Sequence, residues 1–321
     1  MTKQDVRPMT CTSAAQSMFA AIQYTDKKDL SLAEVMGFTS HAFRININAE
    51  NVDVAGPTGY EWRDIFPEGL RNLGFQTAYR GAPNFTPPTP NELSEAIELV
   101  QKSIDRGVPA IAWDLFIPEF GLLYGYDDDK QILMAKDFEK EGELDYEKLG
   151  RGQIGELFVL TIEDSIPIDK TSSLKGALEM ILNHAHKRQH KHEKPPYQNG
   201  LAGYDAWIQA FSNRSVDPFG NAYNTLVVSD ARRYAVDFLS GIVEDVQYEE
   251  TVRHLASRSA AHYKKGKDSL EKLAGKFPFP DGGSPNEGVE AELAIQLLSE
   301  AKQAEQQGVE LLEEMYDRLK N

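Results

Sequence analysis

Residues 106–137 read RGVPAIAWDLFIPEFGLLYGYDDDKQILMAKD, and the spacing of their apolar side chains decides the fold. VPAIAWDL (108–115), FGLLYGYD (120–127) and QILMAKD (131–137) are short runs rich in branched and aromatic residues, and ELFVLTI (156–162) is a fourth. Runs of this length, separated by Pro, Gly and Asp, are strands joined by tight turns. Asp127, Asp128 and Asp129 fall between two of them. A calcium loop needs alternating oxygens, a Gly and a distal Glu at fixed spacing; these are absent, so the triple Asp reads as a hairpin turn.

Toward the N-terminus the period becomes helical. In TPNELSEAIELVQKSIDRG (89–107), Thr89 caps, Pro90 takes the first turn, Glu92 closes a capping box and Gly107 ends the helix. Leu93, Ala96, Ile97, Val100 and Ile104 form its apolar face. SLAEVMG (31–37) repeats that grammar with Ser31, Glu34 and Gly37. Earlier still, Ala14, Ala15, Met18, Phe19 and Ile22 recur at helical spacing behind Cys11, the only cysteine. This puts the thiol in the first helical turn, near the positive end of the dipole, where a thiolate nucleophile is favoured. The alternative is a small buried hydrophobe whose reactivity is unused.

Toward the C-terminus, helical patterns run from about Ser172 through GALEMILNHAHKRQ, YDAWIQAFS, DARRYAVDFLSGI and ETVRHLASRSAAHYKKGKDSLEKLAG, with NTLVVS (224–229) the one candidate strand. FPFPDGGSPNEG (277–288) breaks the series. The last helix carries a stripe of Leu293, Leu297, Ala304, Leu311, Met315 and Leu319, which must pack on the rest of its domain or on a second copy; a homodimer is expected. The change of character at IEDSIPIDKTS (162–172) divides a domain at 1–165 from one at 166–321. The expected class is α+β: an N-terminal domain with an antiparallel sheet, then an all-helical domain.

With 34 basic and 50 acidic side chains the net charge is −16, which repels phosphate backbones and anionic lipid surfaces, so neither nucleic acid nor membrane is an expected partner. MTKQDVRPMT lacks an apolar signal region, and no run approaches the roughly 18 apolar residues of a membrane span. A single cysteine forms no internal disulfide, and a cytoplasmic location is expected. No GxGxxG, P-loop, HExxH or GxSxG string occurs, so no nucleotide or other cofactor and no metal is expected. His184, His186, His190 and His192 crowd one segment with Lys187, Arg188 and Lys191. Only His186 and His190 have helical metal-pair spacing. They lack an adjoining Glu base and have cations around them, so the segment reads as a solvated basic helix end. Tyr24, Trp62, Trp113 and Tyr124 read as core aromatics. Arg44 can hold a substrate carboxylate or pair with Glu34 or Glu119.

Taken in order, Cys11 on a helix, MGFTSHAFRI (36–45), RGVPAIAW (106–113) and EFGLLYGYDDD (119–129) resemble the papain-like cysteine superfamily. The nearest branch is the one typified by the N-terminal domain of the butirosin-biosynthesis acyltransferase and by bacteriocin-processing peptidase domains. The resemblance covers about residues 8–165, and GLAGYDAWIQAF and ARRYAVDFL look like the helical extension that accompanies this domain in bacterial proteins. It implies a papain-like fold, Cys11 as nucleophile and Asp137 as the residue orienting the base. The implied function is acyl transfer or amide hydrolysis through a Cys11 thioester on a small molecule or peptide, with an acyl carrier protein as a further candidate partner. Backbone N–H groups of the Cys11 helix would stabilise the oxyanion.

The family's histidine position is occupied by Glu119. A papain-type thiol is activated by an imidazole, whereas a carboxylate opposes the thiolate by like-charge repulsion. Three arrangements follow. Glu119 acts as a protonated general acid, His41 supplies the base, or the cleft is non-catalytic and binds a ligand whose polar ends Glu119 and Arg44 fix.

Overall fold

The structure, a computed structural model, describes residues 9–82, 86–188 and 196–320. In chain order its elements are α1 (Ser13–Ile22), α2 (Leu32–Phe38), β1 (Asn46–Asn48), α3 (Trp62–Asn72), β2 (Phe75–Gly81), α4 (Pro90–Asp105), β3 (Ala110–Trp113) and β4 (Phe120–Asp127). Then come β5 (Ile132–Lys136), β6 (Glu141–Asp145), β7 (Phe158–Ser165), α5 (Lys170–Ala185), β8 (Tyr197–Asn199), α6 (Leu201–Asn213), α7 (Pro218–Glu244), α8 (Glu250–Lys276) and α9 (Gly288–Lys320). The class is α+β, a sheet region followed by a helical one.

The chain forms two compact units. The first takes the described residues up to Val35 and from Leu73 to Pro167; the second takes Met36–Asn72 and everything from Ile168 onward. A linear division at 165/166 leaves 36–72 in the first domain, but these residues build the second unit. β1 pairs antiparallel with β8, and Ile45, Ile47 and Val52 are buried with Tyr204, Trp207 and Phe211. His41 and Arg44 therefore belong to the helical unit.

In the first unit six antiparallel strands lie in the order β2-β7-β3-β4-β5-β6. Strand side chains alternate between faces. Ala110 and Ala112 pack with Ala96 and Val100 of α4. Ile111 and Trp113 take the opposite parity, and the Trp113, Phe120 and Phe158 rings meet in a tilted and then an edge-to-face contact, with successive centroids 4.9 and 5.7 Å apart. The α4 capping box forms as its spacing predicts, Thr89 and Glu92 serving each other's backbone N–H groups, and Gly107 closes the helix at a φ of +83°. Asp127–Asp129 lie at the β4–β5 hairpin turn, where the Lys130 N–H donates to Asp127 at 3.1 Å. Two of the four expected core aromatics lie at the surface: Tyr24 is 63% exposed and Tyr124 40%, against 8% for Trp62 and 4% for Trp113. Tyr124 has a polar reason, since its hydroxyl donates to Glu141 at 2.9 Å.

In the second unit α8 packs against both α7 and α9. NTLVVS is helical, inside α7, because Thr225, Val227 and Val228 are buried among neighbouring helices and tertiary burial overrides their extended preference. The α9 stripe is covered within the same chain by α5, α6 and α8. Leu297, Leu311, Leu312 and Met315 are buried and only Leu293, at 39%, stays exposed. Among the described residues no helix is long and apolar enough to cross a membrane.

Candidate functional site

Helix α1 opens at Ser13, with extended Thr12 as its cap residue and a first helical bond from the Gln16 N–H to the Thr12 carbonyl at 3.0 Å. Cys11, partly exposed, thus stands just ahead of the cap rather than in the first turn. The Thr12 N–H turns back to the Thr10 hydroxyl at 3.2 Å, which fixes the entry of the chain.

Ser13, two residues after Cys11 in the chain, is 3% exposed. Its hydroxyl accepts the Phe120 N–H at 3.2 Å and donates to the Glu119 carboxylate. Glu119, the substitute for the expected histidine, is therefore docked at the start of the Cys11 helix. Its backbone is held as well: Glu119 O accepts from the Asp114 N–H at 3.0 Å, and its own N–H donates to Ile117 O at 2.7 Å. Asp114 and Glu119 extend the β3–β4 register by one position beyond Trp113↔Phe120.

Asp137 holds the same loop from the other side. Its Oδ2 accepts the Phe116 and Ile117 N–H groups at 2.9 and 3.1 Å, and its Oδ1 accepts those of Glu139 and Lys140 at 2.9 and 3.1 Å. The carboxylate expected to orient a base is engaged with backbone instead. None of the seven histidines of the chain falls within residues 1–35 or 73–167.

His41 lies in the second unit and is 3% exposed. Its Nδ1 hydrogen-bonds with the Thr39 hydroxyl at 2.7 Å and its Nε2 with the Tyr60 hydroxyl at 2.9 Å. Burial, reinforced by the Arg44 charge, lowers its pKa to about 3, so the ring is neutral at physiological pH. Arg44, 8% exposed, stacks over the Tyr60 ring with its guanidinium carbon 4.3 Å from the centroid. Burial lowers its pKa to about 10 against the opposing pull of Tyr60 and Glu68. Glu34, one expected partner, instead closes the capping box of α2, accepting the Ser31 N–H at 2.8 Å. From α7, Arg232 Nη1 donates to the carbonyls of Ala42 and Arg44 at 3.1 and 2.9 Å, fixing the turn that carries His41.

The histidine-rich segment divides. His184 is buried rather than solvated, its Nε2 accepting the Ile45 N–H at 3.0 Å, and His186 hydrogen-bonds with Glu313 at 2.7 Å. His190 and His192 lie outside the described residues. Among the described residues no group of three or more His, Cys, Asp or Glu side chains is placed to hold a metal ion.

Sequence reasoning did not single out Ser13, Tyr60 or Asp114. Asp114 is 3% exposed with a φ of +55°; its Oδ2 accepts the Ile154 N–H at 2.6 Å and its Oδ1 has no partner among the described residues. The only sequence signal for it is that Asp adopts left-handed backbone more readily than most residues. No protein-family model matches the chain, and a search of curated proteins finds no significant match.

Proposed function

We propose that the chain binds a small-molecule or peptide ligand at a papain-like site in its first unit, centred on Cys11 and Glu119, without acyl transfer. The observation that carries this reading is the Glu119 carboxylate held by Ser13 at the head of the Cys11 helix. In a papain-type enzyme that position holds the imidazole that activates the thiol and protonates the leaving group; a carboxylate stabilises no thiolate. Glu119 suits a ligand that presents an amine or hydroxyl donor. A cytoplasmic setting, which keeps the single thiol reduced, accords with this role.

The partial exposure of Cys11 ahead of α1 favours a second reading, acyl transfer through a Cys11 thioester. First-turn N–H groups of a helix have no intrahelical acceptor and can receive an oxyanion, and Thr12 contributes no side-chain cap. The thiolate would attack an acyl carbonyl, and a protonated Glu119 would give its proton to the departing thiol or amine. Incubation with an acetyl-N-acetylcysteamine thioester, followed by intact mass measurement, separates the two. An unchanged mass is expected; an acetyl increment lost in Cys11→Ser would put acyl transfer first. Thermal-shift screening of amines, amino acids and short peptides tests the binding. Stabilisation by an amine-bearing compound that disappears in Glu119→Gln is expected, and hits indifferent to that substitution would remove Glu119 from the site.

A further inference from the structure

We propose that the second unit holds a binding groove for a small zwitterion, an amino acid or short peptide, whose ammonium meets Glu68 and Glu179 and whose carboxylate meets Arg71 and Arg188. These residues lie wholly in that unit, and the inference does not depend on the reading of Cys11 and Glu119.

Helix α5 packs against both α3 and α9. A cavity of about 470 Å³ on the α3 side is lined by Glu68 and Arg71, and one of about 510 Å³ at the end of α9 is lined by Glu179 and Tyr316. Asn183 and Arg188 line both, so the two are lobes of one groove. Each lobe falls within the range of about 300–1,000 Å³ usual for a small-ligand site.

The end of α5 builds the shared wall. The Lys187 N–H returns to His184 O at 3.2 Å and the Arg188 N–H to Asn183 O at 2.7 Å, with Lys187 in left-handed backbone at a φ of +58°. This pair of bonds is a Schellman closure, and it ties the Arg188 backbone to Asn183. Asn183 stands four residues after Glu179 and so shares its face of α5.

Charge selects the ligand. At the α9 end two carboxylates are already matched, Asp317 with Lys320 at 3.1 Å and Glu313 with His186 at 2.7 Å. Among the described residues Glu68, Glu179, Arg71 and Arg188 form no such ion pair. Arg63 and Asp64 line the α3 lobe with opposite charges and leave its balance unchanged. The two unmatched acids oppose each other: burial first, then the Glu179 charge, raises the Glu68 pKa against the pull of Arg71. An ammonium between them replaces that repulsion with two attractions. The α9 lobe also takes the last turns of α5 and α9, whose negative dipole ends favour a cation. The guanidinium forks of Arg71 and Arg188 suit a carboxylate. A simple anion is repelled by the acids and a simple cation by the arginines, so a ligand carrying both charges fits the groove. The Asn183 amide, both donor and acceptor, can serve the peptide group between them.

Isothermal titration of the full-length chain at neutral pH with alanine, trialanine, N-acetyl-trialanine and trialanine amide tests this. Binding of the unblocked compounds is expected, and blocking either terminus should weaken it about tenfold, as loss of a charge-assisted hydrogen bond does. Tighter binding of trialanine than of alanine would assign a peptide spanning both lobes; equal binding would assign a free amino acid. Arg188→Gln should abolish the difference between trialanine and its amide while keeping the effect of acetylation, and Glu179→Gln should do the reverse. Both side chains are exposed, so neither substitution disturbs the core. Glu119→Gln should bind as wild type does.

Absence of binding by every probe at millimolar concentration would overturn the proposal, as would affinities unmoved by both Arg188→Gln and Glu179→Gln. Binding lost in Glu119→Gln and kept in the two groove variants would place the ligand in the first unit and overturn it too.

Discussion

Arg232 of α7 and Glu305 of α9 form an ion pair that solvent does not reach, their side chains being 0% and 5% exposed. Arg232 Nη2 meets Glu305 Oε2 at 3.0 Å, and the buried Tyr204 hydroxyl donates to Oε1 at 2.5 Å. The remaining guanidinium nitrogen serves the carbonyls of Ala42 and Arg44. One side chain thus joins two long helices to the turn that bears His41. Desolvating two charges is expensive, and the arrangement persists because nearly every donor has a matched acceptor.

Removing one partner should therefore cost far more than removing both. Glu305→Ala leaves Arg232 buried without its counterion and should destabilise the fold by about 3–5 kcal/mol in urea titrations. The double variant Arg232→Met with Glu305→Leu should recover part of that loss. Recovery stays partial because two carbonyls lose their donor, at about 1–3 kcal/mol each. Additive losses in the double variant would show that the pair is not the unit of stability.

His41 predicts how stability depends on pH. Its folded pKa, about 3, lies below its ordinary 6.5, so between these values the unfolded chain binds a proton that the folded chain does not. The contribution is complete above pH 6.5 and falls as the pH drops toward 3, with a slope of about 1.4 kcal/mol per pH unit. Unfolding free energies measured at several pH values in wild type and His41→Gln should converge as the pH falls through this window. Parallel curves would mean that His41 does not titrate on unfolding.

What was legible in the sequence was local. Thr89 and Glu92 declare their helix three residues apart, and the β4–β5 hairpin follows from its flanking apolar runs and Asp-rich turn. What was not legible depends on distant partners. Residues 36–72 join the helical unit because β1 finds β8 about 150 residues downstream, and no pattern within 46–48 announces that. NTLVVS has strand composition and helical surroundings. At the candidate site, Cys11, Glu119 and Asp137 could be named from the resemblance. The hydroxyl of Ser13 reaching a carboxylate 106 residues away had no sequence signature.

Ser40 ends α2 in left-handed backbone, with φ +63° and its N–H bonded to Gly37 O at 3.0 Å. Glycine is the usual residue there, because a Cβ in this region costs about 1–2 kcal/mol. Ser40 is also fully buried with a hydroxyl lacking a partner among the described residues. Ser40→Gly removes both penalties and should stabilise the protein by about 1 kcal/mol after the added entropy of the unfolded chain is counted. Calorimetry should show a higher melting temperature. A lower one would mean that the serine side chain has work in the fold beyond its bonds.

Asp137 gives the sharpest test of whether this loop is built for structure or for orienting a base. Its two oxygens divide their acceptor roles, Oδ2 toward the loop that carries Glu119 and Oδ1 toward the following turn. In Asp137→Asn one oxygen becomes an NH2 group that must face N–H donors at one end. Bonds to a charged acceptor are worth about 1.5–3 kcal/mol each, and partial exposure reduces that, so a net loss of about 2 kcal/mol is expected. Limited proteolysis should then cut within residues 114–119 faster than in wild type, because Phe116 and Ile117 lose their anchor. Unchanged stability and proteolysis, with a shifted pH profile of Cys11 alkylation, would instead assign Asp137 to the chemistry of the thiol.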